Sequence, residues 1–325
     1  MVSRREVLKS AVAAAAAALT RGGSLAFAKA SQPSTPVNFE VPAGACDCHT
    51  HVFGDPQQFP FAAGRNYTPE PALVAEMRAL HRALHTERVV IVQPSVYGTD
   101  NACTLDGMKK LGAIARGIAV IDEKTPEASL DEMDRTGIRG IRINMETAGQ
   151  SDPALARRRF AAAVERIKTR KWHIQIYTRL SVIESIKDQV MAAPMPVVFD
   201  HFGGAQAALG IRQTGFATLL DLVRSDKAYV KISAPYRSST QAPDYPDVAP
   251  LAKALIAANP LRMLWGSDWP HPAPALPGHP ATDIAPLYQI DDGRVLNQLA
   301  VWAPDPALRK TILVDNPAKL YGYAS

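Results

Sequence analysis

The most restrictive feature of this sequence is a repeated change of period. Eight short apolar runs read as buried strands: Cys46–Phe53, Arg88–Ser95, Ala115–Asp122, Ile138–Met145, Trp172–Thr178, Pro196–Phe202, Ala228–Ala234 and Arg262–Trp269. Longer stretches of helical spacing lie between them, including Pro71–His85, Pro153–Arg170, Val182–Ala192 and Val248–Ala258. In the second of these, Phe160, Val164 and Ile167 fall on one helical face. Strands that alternate with helices pair in parallel, because each crossover helix returns the chain to the same end of the sheet. Eight such units in 325 residues fit a single (β/α)8 TIM barrel of the α/β class. An open doubly wound sheet fits less well. No Gly-x-Gly-x-x-Gly follows the first run, and no phosphate loop is present. After Asn316-Pro317 the last segment is expected to pack as a terminal helix.

In a parallel barrel, chemistry collects at the C-terminal ends of the strands. Those ends hold Asp47-Cys48-His49-Thr50-His51, Gln93-Pro94-Ser95, Arg142 with Asn144, Tyr177-Thr178, Asp200-His201 and Ser267-Asp268-Trp269-Pro270-His271-Pro272; the seventh run leads on to Arg237. The positions before them are mostly Val, Ile and Leu, so the polar groups are gathered rather than scattered. His49 and His51 are two apart, which on a regular strand puts both rings on one face, with Asp47 deeper on the same side. Paired imidazoles can ligate a metal or donate to a polarised carbonyl. Cys46 and Cys48 then face the other way and are read as packing residues behind the strand. With Cys103 they make three cysteines, an odd count that gives no disulfide framework.

The N-terminus carries a different signal. Ser3-Arg4-Arg5-Glu6-Val7-Leu8-Lys9 precedes an apolar stretch from Ala11 to Leu19, and Ala26-Phe27-Ala28 is a small-residue cleavage pattern. Residues 1–28 therefore read as a signal peptide, and the barrel domain as residues 29–325. The apolar run is too short and Ala-rich for a stable membrane span. Arg4-Arg5 resembles a twin-arginine export signal, with Val7 where that pattern usually has Phe. The expectation is passage through the twin-arginine machinery to the periplasm. An uncleaved anchor and a non-exported basic start are the competing readings. Four cations against one acid in this segment supply more than half of the net charge of +5. The remaining chain has no basic run or basic-aromatic stripe, which excludes nucleic acid as a partner.

His-x-His on the first strand, His201 at the sixth and Asp268 at the eighth resemble the amidohydrolase superfamily. Narrower motifs carry a narrower resemblance: Asp47 to Gly54, Val92-Gln93-Pro94-Ser95 with Gly98-Thr99-Asp100-Asn101, Arg139 to Asn144, Asp200-His201-Phe202-Gly203, and Trp265 to Pro272. These are similar to the lactonase branch, which holds 2-pyrone-4,6-dicarboxylate lactonase, 4-sulfomuconolactone hydrolase and D-galactarolactone isomerase. The resemblance implies hydrolysis of a small anionic lactone. Asp268 is the implied general base, and His49, His51 and His201 polarise the carbonyl. Arg142 and Arg237 are candidate clamps for anionic groups, because guanidinium pairs bidentately with carboxylate or sulfonate. Tyr67, Ser95, Thr99 and Tyr177 are candidate polar contacts. His271 either touches substrate or orders the loop after the eighth strand.

The resemblance implies metal-independent catalysis, whereas other members of the superfamily use Zn. Strand four offers Arg142 and Asn144 rather than a bridging carboxylate, and His173 stands too early on strand five to reach the mouth, so a two-metal site is excluded. One Zn on His49, His51, His201 and Asp268 stays open. The pyrone dicarboxylate lactonases resemble this chain through Arg142 but carry a further Arg where Ala148 stands here. Tyr97-Gly98 also replaces a His-Gly pair. Both departures favour a differently substituted ring, such as a sulfo-substituted muconolactone. A sugar-lactone isomerase and a Zn-dependent decarboxylase are the alternatives. A periplasmic solute-binding module would explain the arginines but not the His and Asp set.

Overall fold

A computed structural model describes residues 30–147 and 149–324. Eight parallel strands form one sheet in chain order: β1 (Cys46–Thr50), β2 (Arg88–Val92), β3 (Ala115–Ala119), β4 (Ile138–Asn144), β5 (His173–Tyr177), β6 (Val197–Phe199), β7 (Ala228–Lys231) and β8 (Met263–Leu264). The barrel closes between its first and last strands. Cys48 N donates to Trp265 O at 3.0 Å, Asp268 N to His49 O at 2.8 Å and His51 N to Trp269 O at 2.8 Å. The chain is thus a single (β/α)8 barrel. Helices α1 (Val74–Leu84), α2 (Ala102–Leu111), α3 (Glu127–Thr136), α4 (Pro153–Ile167), α5 (Leu180–Ser185), α6 (Lys187–Ala192), α7 (Phe216–Arg224) and α8 (Ala249–Ala258) are the crossovers. After β8 come α9 (Asp292–Trp302), α10 (Pro306–Lys310) and the terminal α11 (Asn316–Tyr321). Among the described residues no helix is long and apolar enough to cross a membrane. The proposed signal at 1–28 lies outside the described residues.

The strands are shorter than the apolar runs, and most of the difference falls at their C-terminal ends. There the backbone leaves ladder geometry to build the mouth. His201, Phe202, Asp268 and His271 all have positive φ, an arrangement that non-glycine residues hold only when their surroundings enforce it. The single helix expected over Val182–Ala192 is broken at Ile186, whose φ and ψ of −109° and 8° interrupt the helical turn between α5 and α6. α4 starts where its sequence dictates, with the Asp152 carboxylate capping Ala154 N and Pro153 in the first turn.

Two apolar cores follow from strand alternation. Val89, Ile91, Ile141, Ile174, Val197, Phe199 and Val230 pack outward against the helices. Cys46, Cys48, Val90, Val92, Ile118, Val198, Tyr229 and Leu264 fill the barrel interior with Tyr321 and Tyr323 of the C-terminal segment. The cysteines are packing residues as expected, but inside the barrel rather than behind its wall. His173 sits at the same lower level, buried, with its ring edge-on to Tyr321 at 5.4 Å. An N-terminal strap crosses the outside: Trp269 Nε1 donates to Ser31 O at 3.0 Å, and the Ser34 and Thr35 hydroxyls donate to Asp291 at 2.7 and 2.6 Å.

Burial, reinforced by the charge of Lys231, pushes His173 down to about 3. Folded, the ring stays neutral; unfolded, it takes a proton below about 6.5. Stability contributed by this site is full above 6.5 and falls as pH drops toward 3, by about 1.4 kcal/mol per pH unit. Urea unfolding at stepped pH should show a steeper acid slope for the native chain than for His173→Phe. Equal slopes would contradict this.

Candidate active site

β1 is irregular where the site begins. Its pairing with β2 shifts register between Asp47 and Thr50, and its pairing with β8 skips Cys48 O. The extra residue is a β-bulge. Cys46 and Cys48 point inward, the bulge intervenes, and His49 and His51 then also point inward. Asp47 consequently lies outside the wall, not beneath the histidines as strict alternation predicts. Its carboxylate takes the amide groups that the bulge frees: His49 N at 3.2 Å and Ser267 N at 3.0 Å. It also accepts from Ser267 Oγ at 2.6 Å and faces His81 Nε2 of α1 at 3.3 Å. β8 closes on this point tightly: a Cβ at Gly266 would lie 2.7 Å from His49 Cβ and 2.8 Å from its amide nitrogen.

Three imidazoles converge on one oxygen. Asp268 Oδ1 lies 3.5 Å from His49 Nε2, 3.4 Å from His51 Nε2 and 3.7 Å from His201 Nε2. Asp268 Oδ2 is already committed, accepting from Tyr236 Oη and Arg237 Nε, both at 2.6 Å. Burial alone would raise the Asp268 carboxyl, but the Arg237 guanidinium beside it holds it well below the usual range. Burial drives the histidines the other way: His51 falls, His49 falls further, and His201 drops to about 4. At neutral pH the centre is an ionised carboxylate among three neutral imidazoles.

Each ring is held by its other nitrogen. His51 Nδ1 lies 2.7 Å from Val92 O, an acceptor only, so Nδ1 carries the hydrogen and Nε2 presents a lone pair. His201 Nδ1 meets Ser233 Oγ at 2.9 Å. His49 Nδ1 stands between two opposite partners, Lys231 Nζ at 3.2 Å and Asp200 Oδ1 at 3.3 Å. Donation from Lys231 leaves the hydrogen on His49 Nε2; donation to Asp200 leaves a lone pair there. Lys231 is fully buried and also donates to Gln175 Oε1 at 2.7 Å. Gln175 Nε2 in turn donates to Asp200 Oδ2 at 3.0 Å. Burial pulls Lys231 down from its ordinary value while Asp200 opposes the fall. Burial likewise pushes against Asp200, but His49 and Lys231 hold it ionised. Sequence reasoning places Asp200 at its strand end without a role and misses Lys231, Gln175 and Tyr236. A period-two reading of the seventh run puts Tyr229, Lys231 and Ser233 on one face, which was the available signal.

Above this centre is a cavity of about 270 Å³ whose walls include His51, Tyr67, Ser95, Arg142, Tyr177, His201, Arg237 and Asp268. Most of the candidates are therefore brought together. His49 lies beneath them, fully buried. Arg142 is nearly buried, 3.5 Å from Asp200 Oδ2 and stacked 5.5 Å over Tyr177. Burial pushes the Tyr67 hydroxyl up to about 12, against a hydrogen bond with Ser95. Thr99 is not brought in: it is exposed, outside the cavity wall, and its carbonyl caps the Asn101 side chain. His271 is fully buried behind the wall, 2.9 Å from Asp292 and edge-on to Tyr236, so it orders the loop after β8. Arg237 lines the cavity but is first a partner of Asp268. Ala148 lies outside the described residues.

Asp268 Oδ1 and His49 Nε2 are buried without a hydrogen-bond partner. The ligand atoms of His49, His201 and Asp268 lie within 4.8 Å of one another. This donor set fits one divalent ion, with His51 Nε2 facing the same oxygen.

A (β/α)8 barrel with inward His and Asp at the C-terminal ends of β1, β6 and β8 defines a hydrolase-type barrel. The amidohydrolase family profile matches residues 46–323, and the chain belongs to that family. It is 36% identical over 292 residues to 4-sulfomuconolactone hydrolase of Rhizobium radiobacter, covering 89% of this chain and 93% of that protein. It is 34% identical over 301 residues to 2-pyrone-4,6-dicarboxylate hydrolase of Comamonas testosteroni, covering 90% and 94%. A crystal structure of a putative 2-pyrone-4,6-dicarboxylic acid hydrolase from Pseudomonas putida superposes with a TM-score of 0.72 at 30% identity, covering 88% of this chain and 100% of that one.

Asp47→Ala should leave the His49 and Ser267 amides without acceptors and lower unfolding stability by about 2–4 kcal/mol. Asp47→Asn, which keeps one acceptor oxygen, should lose less. Urea denaturation of both variants checks the order; equal stability to the native chain would sink the bulge account.

Proposed function

We propose that this chain opens a small anionic lactone by hydrolysis, a ring of the muconolactone or pyrone type, with 4-sulfomuconolactone as the leading candidate. The observation that carries the reading is the convergence of three neutral imidazoles on Asp268 Oδ1, at the floor of a cavity walled by Arg142 and Arg237. Named relatives that act on such rings support it.

Water donates one hydrogen to Asp268 Oδ1 and the other to the His51 Nε2 lone pair, which leaves its oxygen free to attack. His51 therefore positions water, rather than polarising the carbonyl as the sequence suggested. With its hydrogen on Nε2, under Lys231, His49 donates to the carbonyl oxygen as negative charge develops there; His201 Nε2 does the same when Ser233 donates to its Nδ1. The water oxygen bonds to the carbonyl carbon and its proton passes to Asp268. The ring C–O bond then breaks, and Asp268 returns the proton to the departing oxygen. Arg237 and Tyr236 hold the carboxylate in place, and Arg142 pairs with the anionic substituent. We assign the chemistry to these side chains, with one Zn on the His and Asp set as the alternative. A bound divalent ion would supply Lewis-acid polarisation of the carbonyl and would call for His49 in the form that donates to Asp200.

Turnover of a panel of anionic lactones, with and without chelator, tests substrate class and metal together. A ring-opened acid is the expected product. A rearranged lactone would mark an isomerase, and released carbon dioxide a decarboxylase. Asp268→Asn should lower kcat by about 10²–10⁴-fold; unchanged turnover would exclude Asp268 as the base.

We also infer export through the twin-arginine route from Arg4-Arg5, the apolar stretch and Ala26-Phe27-Ala28. Residues 1–28 fused to a reporter should carry it to the periplasm, and Arg4→Lys with Arg5→Lys should stop this. Retention of the unmodified fusion in the cytoplasm would refute the inference.

A further inference from the structure

A second chamber of about 760 Å³ opens beside the catalytic cavity, between the loops that follow β5 and β6. The two share Glu146, Tyr177, His201 and Arg237 as walls, so a ring held at Asp268 has this chamber at its side. Small-molecule sites usually occupy about 300–1,000 Å³. The catalytic cavity alone lies just below that range, and the two together reach its top.

The outer wall is clasped by hydrogen bonds of its own and touches the site at Arg237. Gln206 N donates to Gln213 Oε1 at 2.9 Å, and Gln213 Nε2 donates back to Gln206 O at 2.9 Å and to Gly210 O at 2.6 Å. Gln206 Nε2 also reaches Arg237 O at 3.4 Å. The clasped loop presents Arg212 to the chamber, beside Leu209, which is 65% exposed.

The charges around the mouth are unequal in one respect. Arg237 is paired with Asp268 and Arg142 with Asp200. Arg179 is paired with Glu146 through contacts of 2.8–2.9 Å. Among the described residues Arg212 has no ion pair and no hydrogen bond, although it borders the chamber. Thr178 borders it too, buried, with its Oγ1 lacking a partner. A cationic substituent would meet Arg212 and Arg237 together, and a neutral one would leave Arg212 without a counter-ion. Leu180 and Leu209 give an apolar stem something to lie against.

We propose that this chamber is a second subsite of the lactone pocket, taking an arm of the substrate that has an apolar stem and ends in a carboxylate or sulfonate, with Arg212 as its counter-ion. The inference rests on the lactonase reading and names the part of the substrate that this reading leaves open. Arg212 governs affinity for the arm and leaves the ring chemistry to Asp268.

The test uses the purified full chain and three lactones built on one ring: without an arm, with an arm ending in carboxylate, and with the same arm ending in carboxamide. The KM of the carboxamide should exceed that of the carboxylate by roughly three- to tenfold, with similar kcat. In Arg212→Gln this ratio should fall to about one, and Arg212→Lys should restore part of it. Arg212 is exposed, so neither variant threatens folding. The same ratio in the native chain and Arg212→Gln, with lactones still opened, overturns the subsite alone. Failure of the native chain to open any of the three overturns the lactonase reading and the subsite with it.

Discussion

The Asp47 carboxylate stands in for a strand neighbour. One extra residue in β1 leaves two amide groups without ladder partners, and both would be buried, an arrangement folded proteins rarely tolerate. Asp47 accepts from both, and from the Ser267 hydroxyl, while His81 ties it to α1. Everything at the catalytic floor depends on this substitution. Without the bulge, the parity that buries Cys46 and Cys48 in the barrel would send His49 and His51 out toward the helices. With it, strand β1 fills the barrel interior below and supplies two imidazoles above.

The layer beneath the imidazoles explains how their protonation is set. Lys231 and Asp200 are each fully buried, and neither charge is tolerable there without the other. Gln175 bridges them, so the pair is satisfied as well as neutralised. His49 stands on this pair and takes its tautomer from whichever partner it engages. Side-chain catalysis and metal binding ask opposite things of that ring. The Lys231–Asp200 pair therefore holds the choice between them, one level below the residues that would perform either.

Much of this architecture is legible in the sequence because it is periodic. The alternation of eight apolar runs with helical segments is a statement about burial, and the barrel follows from it. His49, His51, His201 and Asp268 are legible because each closes a strand. What was not legible depends on departures from period. Asp47 was assigned to the wrong face because a bulge of one residue reverses every side chain after it. Lys231 was overlooked because an apolar-looking run conceals an inward cation whose partner is on another strand. Thr99 and His271 lie in loops, where spacing along the chain says little about direction in space. Arg237 follows the seventh run and lines the cavity, but its bond to Asp268 depends on the turn Pro235–Ser238, which no pattern announces.

The strap that precedes β1 has a practical meaning. Ser31 binds the indole of Trp269, the residue next to Asp268, and Ser34 and Thr35 bind the cap of α9. The chain's leading edge is therefore stitched to the segment that carries Asp268. Shortening the protein past residue 30, or fusing a bulky tag there, amounts to an active-site edit made at a distance. A truncation point chosen for convenience at this end would alter kinetics under the guise of improving expression.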